Sequence, residues 1–461
     1  MESASPDLDE EVAAPAQLAV GAHAADPHRV PKPRVYGDLI SVDRIDPDAV
    51  KVLRRLTRHG YSAYLVGGGV RDLLLGHEPK DFDIATSARP NEVRRLFRNC
   101  RIIGRRFRLA HVLFAGGKVI EVATFRRDPA LQGPSHVGIG DGGRASELIS
   151  VNKERGDDAD LLIRQDNTFG LPHEDAIRRD FTINGLFYDL ERQEVIDYVR
   201  GVPDLEAGTV RTIGEPDVRF REDPVRILRA IKFSARLDLG LGSEIYDAMV
   251  DQRQELGRSA PPRLFEEILR LLRGGAAHRS IYLAWDLGVL GVVLPELSAF
   301  LDDGVDIADL TWGRLSAIDE MRADDRLPSD AVLIAALLYG PLEEALSGAK
   351  NPGLAFDEFF DDITERLAVP RRMRDRIRLI LAGQRRMDRG RHSGMRRREF
   401  FLDAAALFEV RLSAEGREAP DWLLDLSPGG GEDGHAHGHH RQGHGVGRPA
   451  YRARHRRRTQ G

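Results

Sequence analysis

The chain has 461 residues, of which 31% are charged and 41% hydrophobic, and its formal net charge at pH 7 is −5. This length and composition favour a folded protein of two to four domains. A single cysteine, Cys100, excludes an intramolecular disulfide. The sequence also lacks any run of about 20 apolar residues that could span a bilayer. Because the N-terminus is acidic and lacks the basic-then-apolar order of a secretory signal, we expect a cytoplasmic protein.

The first elements follow an N-terminal segment, residues 1–34, that is rich in Ala, Pro, Asp and Glu and is expected to be disordered. Apolar spacing then predicts helices over 49–56, 70–75 and 91–97, strands over 64–66 and 82–86, and a hairpin of 112–114 with 119–125. Residues 128–165 lose this periodicity, and we interpret them as a mobile loop.

A helix is predicted from Asp175, followed by a hairpin of 186–189 with 194–198. After Gly214 the predicted elements are helices, over 225–237, 262–272, 281–290, 331–338, 372–387 and 399–412. The last residues carry a histidine-rich tract and an arginine cluster. We therefore predict an α+β fold with five parts: a disordered N-terminus (1–34), a head with a small mixed sheet (35–200), an all-α neck (201–275), a helical body (276–426) and a disordered tail (427–461).

The residues that indicate chemistry are densest in the segment GGGVRDLLLGHEPKDFDIAT, which runs from Gly67 to Thr86. Asp81 and Asp83 are one residue apart in a predicted strand, so their carboxylates are expected to project from the same side. Two such charges repel each other unless a cation lies between them. Hard oxygen ligands of this kind suit Mg²⁺, and two ions could clamp an in-line phosphoryl transfer.

The glycines of the same segment predict a site for phosphate groups. Gly67, Gly68 and Gly69 at the end of a strand allow the backbone to approach triphosphate oxygens closely. Arg71 adds a positive charge near this turn. A pair of glycines or an Asp-x-Asp triplet is a weak signal alone, but their order within a strand–turn–helix–strand setting is much more specific.

The segment resembles the nucleotidyltransferase signature of the class II CCA-adding enzymes and bacterial poly(A) polymerases. RRDFTINGLFYDL (178–190) and REDPVRILRAIKFSARL (221–237) are similar to two further motifs of this family, in the family order. The resemblance covers about residues 35–426. It implies a polymerase β-like catalytic head, a neck that reads the base and an RNA-binding body, with two Mg²⁺ ions and ATP as substrate.

The resemblance also implies residue roles. Asp81 and Asp83 would bind metal, and Arg179 and Asn184 would meet the triphosphate and ribose. For a third active-site carboxylate two candidates stay open. Glu121 in the strand KVIEVATF could complete the metal site, whereas Asp180 matches the aspartate that the family marks as active.

The start of the third motif has two interpretations. Glu222, Asp223 and Pro224 suit a helix N-terminus. In the family this region instead reads the base, with Asp223 accepting a hydrogen bond and Arg226 and Arg229, three apart, sharing a helix face. Lys232 extends that face at a position where arginine is often expected, which could alter how the nucleotide is held.

Segments outside the catalytic motifs favour polyadenylation of RNA 3′ ends, of mRNA or of tRNA. RNCRIIGRRFRLAHV (98–112) and LAVPRRMRDRIRLILAGQRRM (367–387) resemble the poly(A) polymerase branch. We predict RNA contacts for five of their arginines: Arg105, Arg106, Arg108, Arg372 and Arg376. CCA addition to tRNA is the alternative activity, and a noncatalytic RNA-binding protein is a further one that the intact Asp81 and Asp83 oppose. No membrane or DNA partner is expected, and the sequence does not predict an oligomeric state.

Overall fold

The computed structural model describes residues 32–104, 108–127 and 168–426. A mixed β-sheet comes first along the chain and an array of helices follows, which confirms the predicted α+β class. The segments predicted as a disordered N-terminus, a mobile loop and a disordered tail lie wholly or largely outside the described residues. Inside them, no helix is both long enough and apolar enough to cross a membrane.

Most of the strands lie in the first part of the described chain. The strands are β1 (Arg34–Gly37), β2 (Ala63–Val66), β3 (Asp83–Thr86), β4 (Cys100–Ile103), β5 (Leu109–Leu113), β6 (Val119–Thr124), β7 (Arg126–Arg127), β8 (Thr168–Phe169), β9 (Leu186–Asp189), β10 (Glu194–Asp197), β11 (Thr209–Val210) and β12 (Gly240–Leu241). Eight of them make one sheet in the order β1-β10-β9-β2-β3-β6-β5-β4. Neighbours in this sheet are antiparallel except for β3 and β6, which run parallel in the described part of the chain.

The parallel pair determines where the functional residues lie. Ile84 on β3 is opposite Val122 on β6. The preceding residues, Asp83 and Glu121, therefore stand side by side at the start of the paired segment. The chain connects β3 to β6 through a helix and the β4–β5 hairpin, as a parallel connection requires. The strand β4 was not predicted; its outward positions hold Arg101 and the exposed Ile103, so apolar and polar residues do not alternate regularly.

The helices are α1 (Pro47–Arg58), α2 (Gly68–Leu74), α3 (Pro90–Leu96), α4 (Pro172–Ile177), α5 (Gly201–Glu206), α6 (Pro216–Glu222), α7 (Val225–Leu237), α8 (Ser243–Gln252), α9 (Pro261–Arg273), α10 (Ala277–Asp286), α11 (Leu290–Val293), α12 (Pro295–Asp302), α13 (Val305–Ala323), α14 (Asp330–Leu337), α15 (Tyr339–Leu346), α16 (Pro352–Leu367), α17 (Arg371–Asp388), α18 (Phe401–Ala414) and α19 (Asp421–Leu424). The predicted helices agree with α1, α7, α9, α14, α17 and α18 to within a few residues. The predicted limits of head, neck and body stay predictions.

Local sequence explains why α1 begins where it does. Asp46 accepts hydrogen bonds from the backbone N–H groups of Asp48 and Ala49, at 2.8 and 3.2 Å, and Pro47 occupies the first helical position. The buried side chains of this helix recur at helical spacing and cover the sheet.

The helix α7 connects the head with the helices that follow. Most of its residues are buried, and it packs against α6, α9 and α10. Its N-terminal half carries the residues predicted to read the base. Because α9 lies alongside α7, side chains of α9 can reach that set.

Candidate active site

Asp81 and Asp83 lie close together, but not in the way that strand alternation predicted. The strand β3 begins at Asp83, so Asp81 belongs to the loop before it, and the prediction that both project from one strand is wrong. The backbone carbonyl of Asp81 lies only 3.3 Å from the place where a Cβ on Gly69 would stand. A side chain at position 69 would therefore push this loop away from α2.

The surroundings of Asp83 disfavour its charged form. Burial, and after it the nearby carboxylates of Glu121 and Asp81, together raise the pKa of Asp83 to about 6, against a lowering effect of Arg179. The residue is nevertheless exposed at the surface, so water and substrate can reach its carboxylate. Such crowding of negative charge is what a bound divalent cation would relieve, so these residues fit a metal site.

The described residues alone do not enclose a metal ion. No group of three or more histidine, cysteine, aspartate or glutamate side chains in the described ranges is arranged so that it could hold one. Oxygen atoms of a substrate or of water would have to complete the coordination. Magnesium sites of nucleotide enzymes commonly use one or two carboxylates together with phosphate oxygens.

The structure places the two candidates for a third carboxylate in different environments. Glu121 is half exposed beside Asp83, and its Oε1 atom lies 3.3 Å from Nε2 of His111 on β5. Asp180 is buried and lies within an ion pair: its Oδ2 atom accepts from Nε and Nη2 of Arg229 at 2.7 and 2.5 Å. Glu121 is therefore the candidate whose carboxylate adjoins the Asp81–Asp83 pair.

Hydrogen bonds satisfy the other oxygen of Asp180. Its Oδ1 atom accepts from the backbone N–H of Phe181 at 2.8 Å and from Nδ2 of Asn184 at 3.0 Å. Burial alone would raise the pKa of Asp180, but Arg229 and these donors hold it well below its ordinary value. Both oxygens are thus used inside the protein, which suits a residue that positions Arg229.

A chain of buried polar contacts extends from Asp180 to the glycine turn. The Oδ1 atom of Asn184 accepts from Nη1 of Arg71 at 2.6 Å, and Nε and Nη2 of Arg71 donate to Oδ1 of Asp72 at 2.9 and 2.6 Å. Arg71 is itself buried and lies over the ring of Phe233 on α7. Arg71 and Asn184 therefore connect α2 to α7 beneath the glycine turn.

Arg179 is the positive charge that lies against the turn itself. Gly67 has a φ of 69°, and a Cβ at this position would come within 2.9 Å of Nη1 of Arg179. Asp175 fixes Arg179 through bonds from Nε and Nη2 at 3.2 and 2.9 Å, and the backbone carbonyl of Asn184 accepts from Nη1 at 3.1 Å. Asp175 was not predicted as a site residue. It lies in α4, four residues before Arg179, and this helical spacing was a possible signal.

The predicted base-reading arginines, Arg226 and Arg229, have partners on different elements. Arg226 donates to Glu222 Oε2 at 3.1 Å and to the backbone carbonyl of Arg219 at 3.0 Å, both on α6, whereas Arg229 points to Asp180. The two guanidinium groups therefore have different partners. Both arginines lie in α7 three residues apart, as predicted, but the spacing did not indicate that their ion-pair partners lie on different elements.

Two residues of α9, which were not predicted as site residues, bind Asp223 and Lys232. Arg263 binds Asp223 in a bidentate pair, at 2.8 and 2.6 Å, and Glu267 accepts from Nζ of Lys232 at 3.2 Å. Burial and the neighbouring Arg229 lower the pKa of Lys232 to about 8, although Glu267 opposes this effect. Arg263 and Glu267 are four residues apart and thus lie on one face of α9.

The arginines predicted to bind RNA differ in their availability. Arg105 and Arg106 lie outside the described residues, and Arg108 is exposed. On α17, Arg372 is exposed, whereas Nε of Arg376 donates to Oδ2 of Asp403 at 2.6 Å. The charge of Arg376 is therefore used within the protein, against the prediction.

Comparison with known proteins identifies relatives along most of the chain. Residues 63–211 match the family model "Poly A polymerase head domain", and residues 239–301 match "Probable RNA and SrmB- binding site of polymerase A". The chain is 41% identical to poly(A) polymerase I of Salmonella typhimurium over 79% of this chain and 77% of that protein. It is 35% identical to the CCA-adding enzyme of Bacillus pumilus over 50% of this chain and 51% of that one. Among solved structures, the Bacillus stearothermophilus CCA-adding enzyme in complex with CTP superimposes with a TM-score of 0.58 at 25% identity, covering 83% of this chain and 82% of the other.

Proposed function

The chain belongs to the nucleotidyltransferase family of bacterial poly(A) polymerases and CCA-adding enzymes, and from this premise we propose that it adds AMP from ATP to RNA 3′ ends at a site built on Asp81 and Asp83. The observation that carries the choice of AMP is the extent of the similarity. The poly(A) polymerase relatives match more of the chain, and at higher identity, than the CCA-adding relatives do.

The proposed site for the triphosphate is the turn of Gly67, Gly68 and Gly69 together with Arg179. The absence of side chains leaves the backbone N–H groups of the turn accessible to phosphate oxygens. Arg179 is held over the turn by Asp175 and keeps a partly exposed guanidinium. Arg71, which is buried with Asp72 and Asn184, keeps the turn in place instead of contacting phosphate.

Asp81 and Asp83 are the proposed ligands of divalent metal, with Glu121 as the third carboxylate beside them. We propose Mg²⁺, since hard carboxylate oxygens in an open site that substrate completes are its usual environment. When bound, such ions would make the RNA 3′-hydroxyl more acidic and balance the charge that builds on the pyrophosphate. The protein itself aligns the reacting groups, because β3 and β6 hold Asp83 and Glu121 side by side.

The proposed base-reading residue with the best placement is Asp223. Its carboxylate is held by Arg263 and lies at the start of α7, where it could accept a hydrogen bond from the exocyclic amine of adenine. Arg226 and Arg229 would support this position from α6 and from Asp180. Lys232, which donates to Glu267, lies farther along α7.

The assay that tests this function compares ATP with CTP. The purified protein, with Mg²⁺ and a short unstructured RNA, is expected to produce a long ladder with ATP alone and little extension with CTP. Truncated tRNA that receives C, C and A and then no further nucleotide would instead identify a CCA-adding enzyme. That outcome is the second candidate, which the solved CCA-adding neighbour with CTP supports.

Asp223→Asn is expected to weaken the preference for ATP over UTP by about tenfold, because uracil lacks the exocyclic amine that adenine carries and one hydrogen bond to a charged group contributes about 1.5–3 kcal/mol. The asparagine keeps one acceptor oxygen, so the fold should be preserved. The measurement is kcat/KM for each nucleotide on the same RNA. Asp217→Asn on the neighbouring helix α6 is the matched control and should keep the wild-type ratio; an unchanged ratio for Asp223→Asn would remove Asp223 from base reading.

A further inference from the structure

We propose that a surface of seven arginines at the end of α17 binds the phosphate backbone of the substrate RNA away from its 3′ end. The members of this arginine patch are Arg385, Arg386, Arg389, Arg391, Arg396, Arg397 and Arg398. That the bound polyanion is RNA rests on the proposed function. Its position differs from the RNA contacts predicted from the sequence, Arg372 and Arg376, which lie in the first half of the helix.

The arginines of α17 fall into two classes by their partners. In the first half of the helix, Arg371, Arg374 and Arg378 pair with Asp375, Asp361 and Asp357, as Arg376 does with Asp403. Arg372 is the exception in this half, since it is exposed and has no such pair among the described residues. The seven members of the arginine patch are all exposed. Within the described ranges none of these seven has a carboxylate oxygen within 4.0 Å of its guanidinium nitrogens.

The patch is not neutralised by its own segment. Residues 385–398 contain a single acidic side chain, Asp388. Its Oδ2 atom lies 3.3 Å from Nη1 of Arg411 on α18, and its Oδ1 atom lies 3.9 Å from Nη1 of Arg417. The positive charge therefore faces solvent on a chain whose total charge is −5. Such local excess is the electrostatic signature of a surface that binds nucleic acid.

The patch is held in one shape by a small core beneath it. After α17 the chain turns at Gly390, which has a φ of 66°, and folds back so that Met395 is buried together with Met387. A Cβ on Gly383 would meet Cβ of Ala404 at 3.2 Å and Sδ of Met395 at 4.0 Å. This close approach brings residues 396–398 back beside the end of α17. A surface that is already ordered loses less conformational entropy when it binds.

A structural role explains only part of the patch. Arginines in the last turn of a helix interact favourably with its dipole, which accounts for Arg385, Arg386 and Arg389. The other four lie beyond the helix, where that effect does not reach. Uncompensated like charges destabilise a folded protein through repulsion. A polyanion that binds there relieves this repulsion and releases counterions.

The test uses RNA binding by the full-length protein without ATP. The patch variant carries Arg385→Gln, Arg386→Gln, Arg396→Gln and Arg397→Gln. The control variant removes the same charge from paired arginines, with Arg279→Gln, Arg322→Gln, Arg371→Gln and Arg374→Gln. Fluorescence anisotropy of labelled oligoadenylates of about 8 and about 40 nucleotides, over a range of salt concentrations, measures the affinity and its salt dependence, since single-strand sites cover about 4–16 nucleotides each.

The patch variant is expected to bind the longer RNA at least about tenfold more weakly, with a salt slope reduced by about 3 for four lost contacts at about 0.7 each. The preference for the longer over the shorter RNA should shrink in the patch variant and persist in the control. Equal losses in both variants would mean a nonspecific effect of net charge and overturn the proposal, as would wild-type binding by the patch variant.

A second variant and the absence of catalysis in the assay make the outcome of this binding experiment unambiguous. If the fourfold variant has a lowered thermal midpoint, the double variant Arg396→Gln with Arg397→Gln replaces it, because it removes only charges on the exposed turn. Its salt slope should be reduced by about half as much as expected for the fourfold variant. Binding is measured without catalysis. A wild-type protein that binds RNA through the patch but adds no AMP would therefore contradict the proposed function and leave the patch intact.

Discussion

Replacing Asp81 with alanine is expected to lower the rate of AMP addition by at least about 1,000-fold, because a metal-binding carboxylate contributes several kcal/mol to a phosphoryl transfer. Asp81 is exposed in the loop before β3, so its loss should change the thermal midpoint by no more than about 2 °C. The measurement is single-turnover extension of an RNA primer with ATP. Glu78→Ala, an exposed acidic residue in the same loop, is the control and should keep near-wild-type activity.

The neighbouring carboxylate gives a second readout that activity alone cannot supply. Asp83→Asn should also abolish AMP addition, yet it should raise the thermal stability of the metal-free protein at pH 7.5. The reason is that the pKa of Asp83 is raised to about 6, so its charged form is disfavoured in the folded state. The destabilisation of the wild-type protein by charged Asp83 is complete above pH 6. It declines as the pH falls through about 6 and is absent below the ordinary aspartate pKa of about 4.

Thermal melts of Asp83→Asn and wild type at pH 7.5 and pH 4.5 test this sign. The stabilisation should be present at the higher pH and small at the lower one, and water that reaches Asp83 will screen part of it. Full AMP addition by either the Asp81 or the Asp83 variant would contradict their assignment as metal ligands. A lower midpoint for Asp83→Asn at pH 7.5 would show that the carboxylate is stabilising and that the crowding argument is wrong.

Asp180→Asn is expected to destabilise the protein by about 3–5 kcal/mol, because it leaves the guanidinium of Arg229 without its buried partner. For a protein of this size the thermal midpoint should fall by about 3–7 °C. The double variant Asp180→Asn with Arg229→Met removes both charges and should recover part of the loss. The two single variants and the double variant form a thermodynamic cycle that isolates the coupling between the two residues.

The same ion pair predicts how stability responds to acid. Because the pKa of Asp180 is held below its ordinary value, the stabilisation is complete above about pH 4 and is lost as the pH falls further. The wild type should therefore lose its stability advantage over Asp180→Asn in that acid range. A midpoint for Asp180→Asn that equals the wild type at pH 7 would contradict a buried ion pair and would restore Asp180 as a candidate metal ligand.

The sequence was most informative where the signal is local. Apolar spacing located α1, α7 and α17, since the side chains that a helix buries recur every three to four residues. The short strand β4 was missed because the exposed Ile103 breaks the alternation of apolar and polar residues, and the start of β3 was predicted one residue too early. The family comparison supports the α+β head followed by helices, as the motifs from Gly67 to Thr86 and 178–190 had predicted.

Contacts between distant residues were the part that the sequence could not decide. Asp180 and Arg229 are 49 residues apart, and Asp223 and Arg263 are 40 apart, so no spacing rule connects them. From the residues alone, Glu121 and Asp180 were equal candidates for the third carboxylate. Strand pairing brings Glu121 beside Asp83, while burial against α7 commits Asp180 to an arginine.

By itself, the sequence indicated the family, the α+β class and a set of candidate metal-binding carboxylates, because these depend on residue type and short-range spacing, but it did not predict β1, α13 or α16. Only the tertiary structure decided which charges are free to act. An arginine beside a carboxylate in the fold, such as Arg376, has its charge satisfied, whereas Arg385 has none nearby in the described residues and faces solvent. The reason is that electrostatic interactions depend on distance and burial in three dimensions, which adjacent letters in a sequence do not specify.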